Sequence, residues 1–181
     1  FQKKKLNKFT MLEFGIFLHS LIIGFMIFFM SVVTPSVFSI LNEDEAGKLL
    51  RVIFPRMFIY GLIVTILSCT VFFVISKIDF LIISLVSAAF VLINLIYLTP
   101  RINIYRDKFN GGIVEAEKKF KMLHFFSVVL FISQLFGSIF IVFVYFYLCV
   151  SPHHYNLINQ TKTKTQYLYY NVLIVYSIIL I

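Results

Sequence analysis

Tryptophan is missing from the 181-residue chain, and cysteine, proline and glycine are few, at two, four and seven residues. Cys69 and Cys149 lie inside apolar segments with no CxxC spacing. That spacing excludes a zinc ribbon or a disulfide framework and leaves each as a small, inert, lipid-buried side chain. Charge is scarce as well: 13% of residues are Asp, Glu, Lys or Arg, against roughly 25% in a soluble domain. With 60% of residues hydrophobic and a mean hydropathy of +0.95, the chain carries more apolar surface than a soluble core can hide. No Walker loop, nucleophile elbow, HExxH motif or carboxylate pair is present. A soluble-type active site therefore has no candidate residues, and neither enzymatic activity nor a metal or cofactor is expected.

In their place stand 23 Phe and 10 Tyr, the tyrosines taking the interfacial role that Trp usually fills. Sixteen Lys and Arg against eight acids give a net charge of +8, and these cations sit between apolar runs. That pattern suits anionic lipid headgroups as partners; no basic stripe interleaved with base-reading polar residues points to nucleic acid.

A bilayer span needs roughly 20 mostly apolar residues. Four stretches free of Asp, Glu, Lys and Arg qualify, at about 14–34, 57–76, 80–98 and 123–148. The expected fold is all-α: a polytopic integral membrane protein with four transmembrane helices in two hairpins, joined by short amphipathic interfacial helices. Spans two and three are linked only by Lys77-Ile78-Asp79, which requires a tight antiparallel hairpin. Residues 1–10 are a basic leader read as lying upstream of a start at Met11, residues 11–150 are the membrane domain, and 151–181 are a poorly specified tail. The tail carries the weak metal signal His153-His154 and a sequon at Asn159-Gln160-Thr161.

Nine Lys and Arg lie in the two long loops and seven on the opposite face, which decides no orientation; with a start at Met11 the second count falls to three. The positive-inside rule then puts both long loops in the cytoplasm and the N-terminus outside. In the first loop Asn42 is a helix cap with Glu45 three residues on, and three consecutive acids suit the positive end of a helix dipole. Ala46, Leu49, Leu50 and Ile53 then recur at helical spacing, which predicts a short helix in the interface with its apolar side in lipid. Pro35, Pro55 and Pro100 mark helix ends in this reading, because proline breaks a helix interior but is tolerated in a first turn. Two Thr-Pro pairs, Thr34-Pro35 and Thr99-Pro100, stand 65 residues apart, each followed by a polar loop and another span. A duplicated two-span hairpin, parallel in topology, or a chance match of one dipeptide both account for them.

Asn94 and Gln134 are the strongest polar residues within spans, and such amides need partners in hydrocarbon. Helix-to-helix hydrogen bonding is the favoured role and a polar path the alternative. Thr65, Ser68, Ser84, Ser87, Ser133, Gly137 and Ser138 suit close helix packing. His19 and His124 are candidate intramembrane contacts, but they start an odd and an even span, on opposite faces, so shared haem or metal ligation is disfavoured. Each is expected to hydrogen-bond near an interface, with Ser20 or Ser127 as partners. Arg51, Arg56, Arg101 and Arg106 are candidate headgroup or partner contacts.

The order "TPSVFSILNEDEAGKLLRVIFPRMF", a hairpin of spans, "TPRINIYRD" and "FKMLHFFSVVLF" resembles the transmembrane protein 205-like family over about residues 12–144. The more specific features are Pro35 with Phe38, Ala46-Gly47 with Phe54-Pro55-Arg56, Arg101 with Arg106, and His124 with Ser127. The resemblance implies a four-helix membrane domain of unassigned activity and supplies no catalytic residue. Three functions stay open: a non-enzymatic scaffold or accessory membrane component, a small-solute or metal exporter acting as a homo-oligomer, and, disfavoured by the histidine separation, a redox subunit.

Overall fold

The computed structural model describes the backbone of residues 2–150 and the side chains of residues 9–148. Cys149, His153-His154, the sequon and the tail lie outside the described side chains. The described residues form six α-helical segments: α1 (Gln2–Phe28), α2 (Thr34–Ile40), α3 (Glu43–Val74), α4 (Ile78–Ile93), α5 (Thr99–Asn110) and α6 (Glu115–Val150). A π turn over Phe29–Val33 joins α1 to α2, and another over Asn94–Leu98 joins α4 to α5. Four continuous helical rods result, each long and apolar enough to cross a membrane. The chain is a multi-pass integral membrane protein.

The prolines do not end helices as expected. Pro35 and Pro100 sit in the first turn of α2 and α5, immediately after the π turns, and Pro55 lies inside α3. Proline has no N–H for the carbonyl four residues back, and its ring crowds that carbonyl. One extra residue in the preceding turn relieves the crowding and lets the rod continue. The backbone N–H of Thr34 reaches back five residues to the Phe29 carbonyl, as Thr99 N–H does to Asn94. The Thr34 hydroxyl also donates to the Phe29 carbonyl, at 3.0 Å.

The predicted interfacial helix is likewise not separate. Asn42 caps α3, its side chain accepting from the Glu45 N–H at 2.9 Å, but the helix then runs through Pro55 into the second span. Ala46, Gly47 and Leu50 are buried against protein, not lipid; only Leu49 of that stripe is exposed. At ~1.5 Å rise per residue a rod of 32 residues is about 48 Å long against a hydrocarbon core of ~30 Å. The "loops" are thus protruding helix ends, and the connections shrink to Leu41–Asn42 and residues 111–114. On the opposite face α3 stops at Ser76, which takes φ 58°. There Lys77 N–H returns to the Phe72 carbonyl at 2.9 Å, a Schellman-type stop.

Around the bundle α3 packs on α1 and α4, and α6 packs on the same two, leaving α1–α4 and α3–α6 as diagonals. The inside-out chemistry follows from the solvent: lipid takes apolar side chains at no cost, so the interior is selected for close packing and hydrogen bonding. Phe17, Phe73, Ile96 and Phe143 face outward, whereas Thr65, Ser68, Ser84, Ser87, Asn94, Gln134 and Ser138 are buried.

The 65-residue spacing of the Thr-Pro pairs has counterparts in the structure. The two π turns, Phe29–Val33 and Asn94–Leu98, are offset by 65 residues, like the Thr-Pro pairs that follow them. α1 and α4 run parallel, and His19 meets Ser84 at the same 65-residue spacing. Along the inward faces of α3 and α6, Thr65, Ser68 and Phe72 on the one and Gln134, Ser138 and Ile141 on the other are all buried. The arrangement has the sense of a two-fold axis running along the bundle.

Candidate functional site

His19 is fully buried. The helix that carries it begins well before the apolar run, so residue 19 lies more than two turns inside the rod, and Ser20 is occupied with the Ile16 carbonyl at 3.0 Å. The imidazole touches every other rod: Nδ1 is 3.0 Å from Ser138 Oγ on α6, Nε2 is 2.9 Å from Ser84 Oγ on α4, and the ring stacks on Phe72 of α3 at 5.8 Å. The hydrogens can be assigned from the network. Ser84 spends its hydroxyl hydrogen on the Phe80 carbonyl at 2.8 Å, so it accepts from Nε2–H; Nδ1 is then the acceptor for Ser138 O–H. Both ring nitrogens of a neutral imidazole are satisfied. Beyond the ring, toward the α3–α4 turn, Ile16, Phe72, Ile75, Phe80, Ile83 and Ile141 form an apolar plug. Gly15 makes room for it: a Cβ there would stand 2.5 Å from a Phe72 ring carbon.

Toward the opposite face the interior is a ladder of polar contacts. Gln134 Nε2 donates to Thr65 Oγ1 at 3.4 Å, and Asn94 Nδ2 donates to the Ser127 carbonyl at 3.3 Å. Both amides bridge rods. Ser68 Oγ and Asn94 Oδ1 are buried with no hydrogen-bond partner among the described residues.

The ladder leads to a cleft of about 320 Å³ between α3, α5 and α6, which shares six lining residues with an inner recess of about 80 Å³. Arg51, Arg106 and His124 line it. Arg51 grips both carboxylate oxygens of Asp107, one at 3.1 Å. That bond holds the exposed Asp107 carboxyl, which lies beyond the apolar part of its rod, below the usual carboxylate range. Arg106 donates to the Glu43 carbonyl at 3.0 Å and lies flat on Gly47, where any Cβ would overlap the guanidinium. His124 stacks on Phe120 at 6.0 Å. It is far from His19, which has its contacts on the plug side of the bundle.

The four arginines therefore divide. Arg51 and Arg106 line the cleft, whereas Arg101 covers the Tyr97 ring at 4.1 Å and Arg56 is exposed. Lys119 and Lys108 both approach the Tyr105 ring, at 5.5 Å each, and Lys121 pairs with Glu117 at 2.7 Å. Sequence reasoning passed over Asp107, Asn103 and the role of Gly47 as a slot. Ser84 and Ser138 are expected from the sequence as packing residues only, and nothing local in the sequence pairs them with His19.

The model of a family described as a domain of unknown function, DUF4149, matches residues 17–109, more than half of the chain. The chain belongs to this family. The DUF4149 match takes in His19, Arg51, Ser84, Asn94, Arg106 and Asp107 and ends before α6, which supplies Ser138, Gln134 and His124. No curated protein sequence and no solved structure matches the chain.

Proposed function

We propose that this DUF4149 protein is a non-enzymatic accessory component of the membrane that binds at its loop face, and is not a solute conduit. The observation that carries the reading is the His19 knot. One imidazole ties all four rods together with both nitrogens engaged, directly above an aromatic and aliphatic plug, while the cleft at the other end stands open. With a start at Met11, nine cations on this face against three opposite would support a cytoplasmic loop face under the positive-inside rule. The test is flux from sealed proteoliposomes: the reading expects no protein-dependent leak of small anions, cations or neutral solutes, and a leak abolished by Gln134→Leu overturns it.

The exporter is the second reading. It is favoured by two interior atoms without partners among the described residues, Ser68 Oγ and Asn94 Oδ1, which lie on the ladder between cleft and plug. It requires the Phe72–Phe80 contact, 5.4 Å between ring centroids, to open during turnover.

A further inference from the structure

The cleft has two kinds of wall. We propose that it binds an amphiphile with an anionic head, phosphate or carboxylate, on an apolar body; this rests on the reading of the loop face as the binding face. Arg106 is the head contact. Arg51 has both terminal nitrogens committed to Asp107, whereas Arg106 has a single hydrogen bond to the Glu43 carbonyl. Of the five donors on a guanidinium, that leaves an edge able to take two oxygens of a carboxylate or phosphate side by side. Gly47 fixes where that edge points, because the guanidinium rests in the place of a side chain. Asn103 and His124, which line the same cleft, add neutral hydrogen-bonding groups around the head.

Below the head the lining turns apolar. The inner recess shares Leu50, Phe54 and Ile102, and the polar Arg51, Asn103 and His124, with the cleft; beyond them Met57, Phe58, Val128 and Phe131 outnumber Thr99 and Ser127. From Leu50 to Phe58 the wall runs along α3 for eight residue steps, or ~12 Å, toward the apolar part of the bundle. A free, hydrated anion gains nothing from that wall. Glu43 also lines the cleft, and its carboxylate sets a like charge beside a multiply charged free anion, so a singly charged head attached to an apolar body is the better match. Arg51–Asp107 braces α3 against α5 and holds the two walls apart.

The experiment uses the full chain in phosphatidylcholine nanodiscs, undoped or doped with phosphatidic acid or oleate, with retained lipid read by native mass spectrometry after the bilayer is stripped. Inorganic phosphate and glycerol phosphate serve as soluble-head competitors. The expected result is one anionic amphiphile kept per chain, with a preference over phosphatidylcholine of at least about tenfold. Arg106→Gln should abolish the preference and Gly47→Ala should weaken it, while Lys118→Gln, which removes the same charge on the same face outside the cleft, keeps it. Monodispersity and melting temperature of each variant separate misfolding from lost binding, and Gly47→Ala retains Arg106 if Arg106→Gln does not fold. Equal loss in Arg106→Gln and Lys118→Gln means general surface attraction and overturns the site. Displacement by glycerol phosphate or inorganic phosphate at the affinity of the amphiphile assigns a soluble anion and overturns the apolar part. No retained amphiphile overturns both. A protein-dependent solute leak would remove the accessory reading and leave the binding result standing.

Discussion

Exchanging His19 and Ser84 tests the internal repeat and the His19 knot together. His19→Ser alone removes a fully buried ring that meets three other rods. Two hydrogen bonds between membrane helices are worth ~0.6 kcal/mol each on average, and a large-to-small change at a packed site adds about 2–4 kcal/mol for lost contacts and cavity. The single variant should therefore lose roughly 3–5 kcal/mol. Ser84→His alone places two imidazoles against each other and should cost about 1–3 kcal/mol by overpacking. In the double variant the ring returns to the same level from the diagonal rod. The hydroxyl introduced by His19→Ser can donate to the Gly15 carbonyl as Ser84 does to Phe80, and accept from the new imidazole; buried Ser68, with no partner among the described residues, can donate to its other nitrogen. Recovery is incomplete, because Phe72 packs into the Gly15 notch and the buried residue that α6 brings to the plug, Ile141, cannot stack on a ring. A coupling of about 2 kcal/mol in favour of the double variant is expected. The assay is reversible unfolding in bicelles by steric trapping, with the four proteins compared in one lipid mixture. If the double variant is destabilised by the sum of the singles, the two positions are not equivalent and the two-fold reading fails.

Four further outcomes are expected. Ser76→Gly should stabilise the chain by about 0.5–1 kcal/mol, seen as a raised melting temperature, since φ 58° costs a non-glycine residue about 1–2 kcal/mol, part of which glycine gives back as chain entropy. Gly15→Ala should cost about 1–3 kcal/mol in the same unfolding assay, because the new methyl group meets the Phe72 ring. Gln134→Leu should cost no more than about 1.7 kcal/mol, the upper range for one interhelical bond in a membrane; a larger loss would mean that the amide serves more than Thr65. The Arg51–Asp107 brace is pH-dependent with a definite sign. A carboxyl whose native value is lowered contributes from neutral pH down through its unfolded value near ~3.9, and the contribution fades only as pH falls through the lower native value. Spin labels at residues 48 and 110 should hold one distance distribution at pH 5 and above and broaden only below about pH 4; broadening near pH 6 would contradict the assignment.

The number of rods was legible because a span announces itself by length and apolarity, and both are sums over twenty residues that no single side chain can overturn. The rod ends were not. Proline was read by its local rule, which holds where water can take up the freed carbonyl; in a membrane rod a turn with one extra residue is the cheaper solution. The Asn42 cap was legible because it is local, four residues closing on one side-chain oxygen. The His19 knot was not, since its partners stand 65 and 119 residues away and a lone histidine in an apolar run carries no trace of what faces it.

Where the two halves of the repeat differ is more informative than where they agree. The first rod continues seven residues past its π turn as α2, the third continues twelve as α5. The five additional residues are Arg106 to Asn110. They include Arg106 and Asp107, the two groups that close on the start of α3 through Glu43 and Arg51, and Phe109 and Asn110, which line the cleft. The turn that follows is also longer by two residues, four against two, so the offset grows from 65 between the first and third rods to 72 between Glu43 and Glu115. A symmetrical duplicate would place an equal helix end against α6, and none is there: α2 stops at Ile40, leaving Phe38 as its contribution to the cleft wall. The shared frame builds the closed bundle and its imidazole knot, and the one-sided extension of α5 builds the cleft. Truncating α5 after Tyr105 and joining it to α6 with the shorter first-half turn should therefore leave an intact four-rod bundle, by melting temperature and elution volume, that no longer retains an anionic amphiphile. If the shortened chain still binds, the cleft is a property of the repeat and not of its asymmetry.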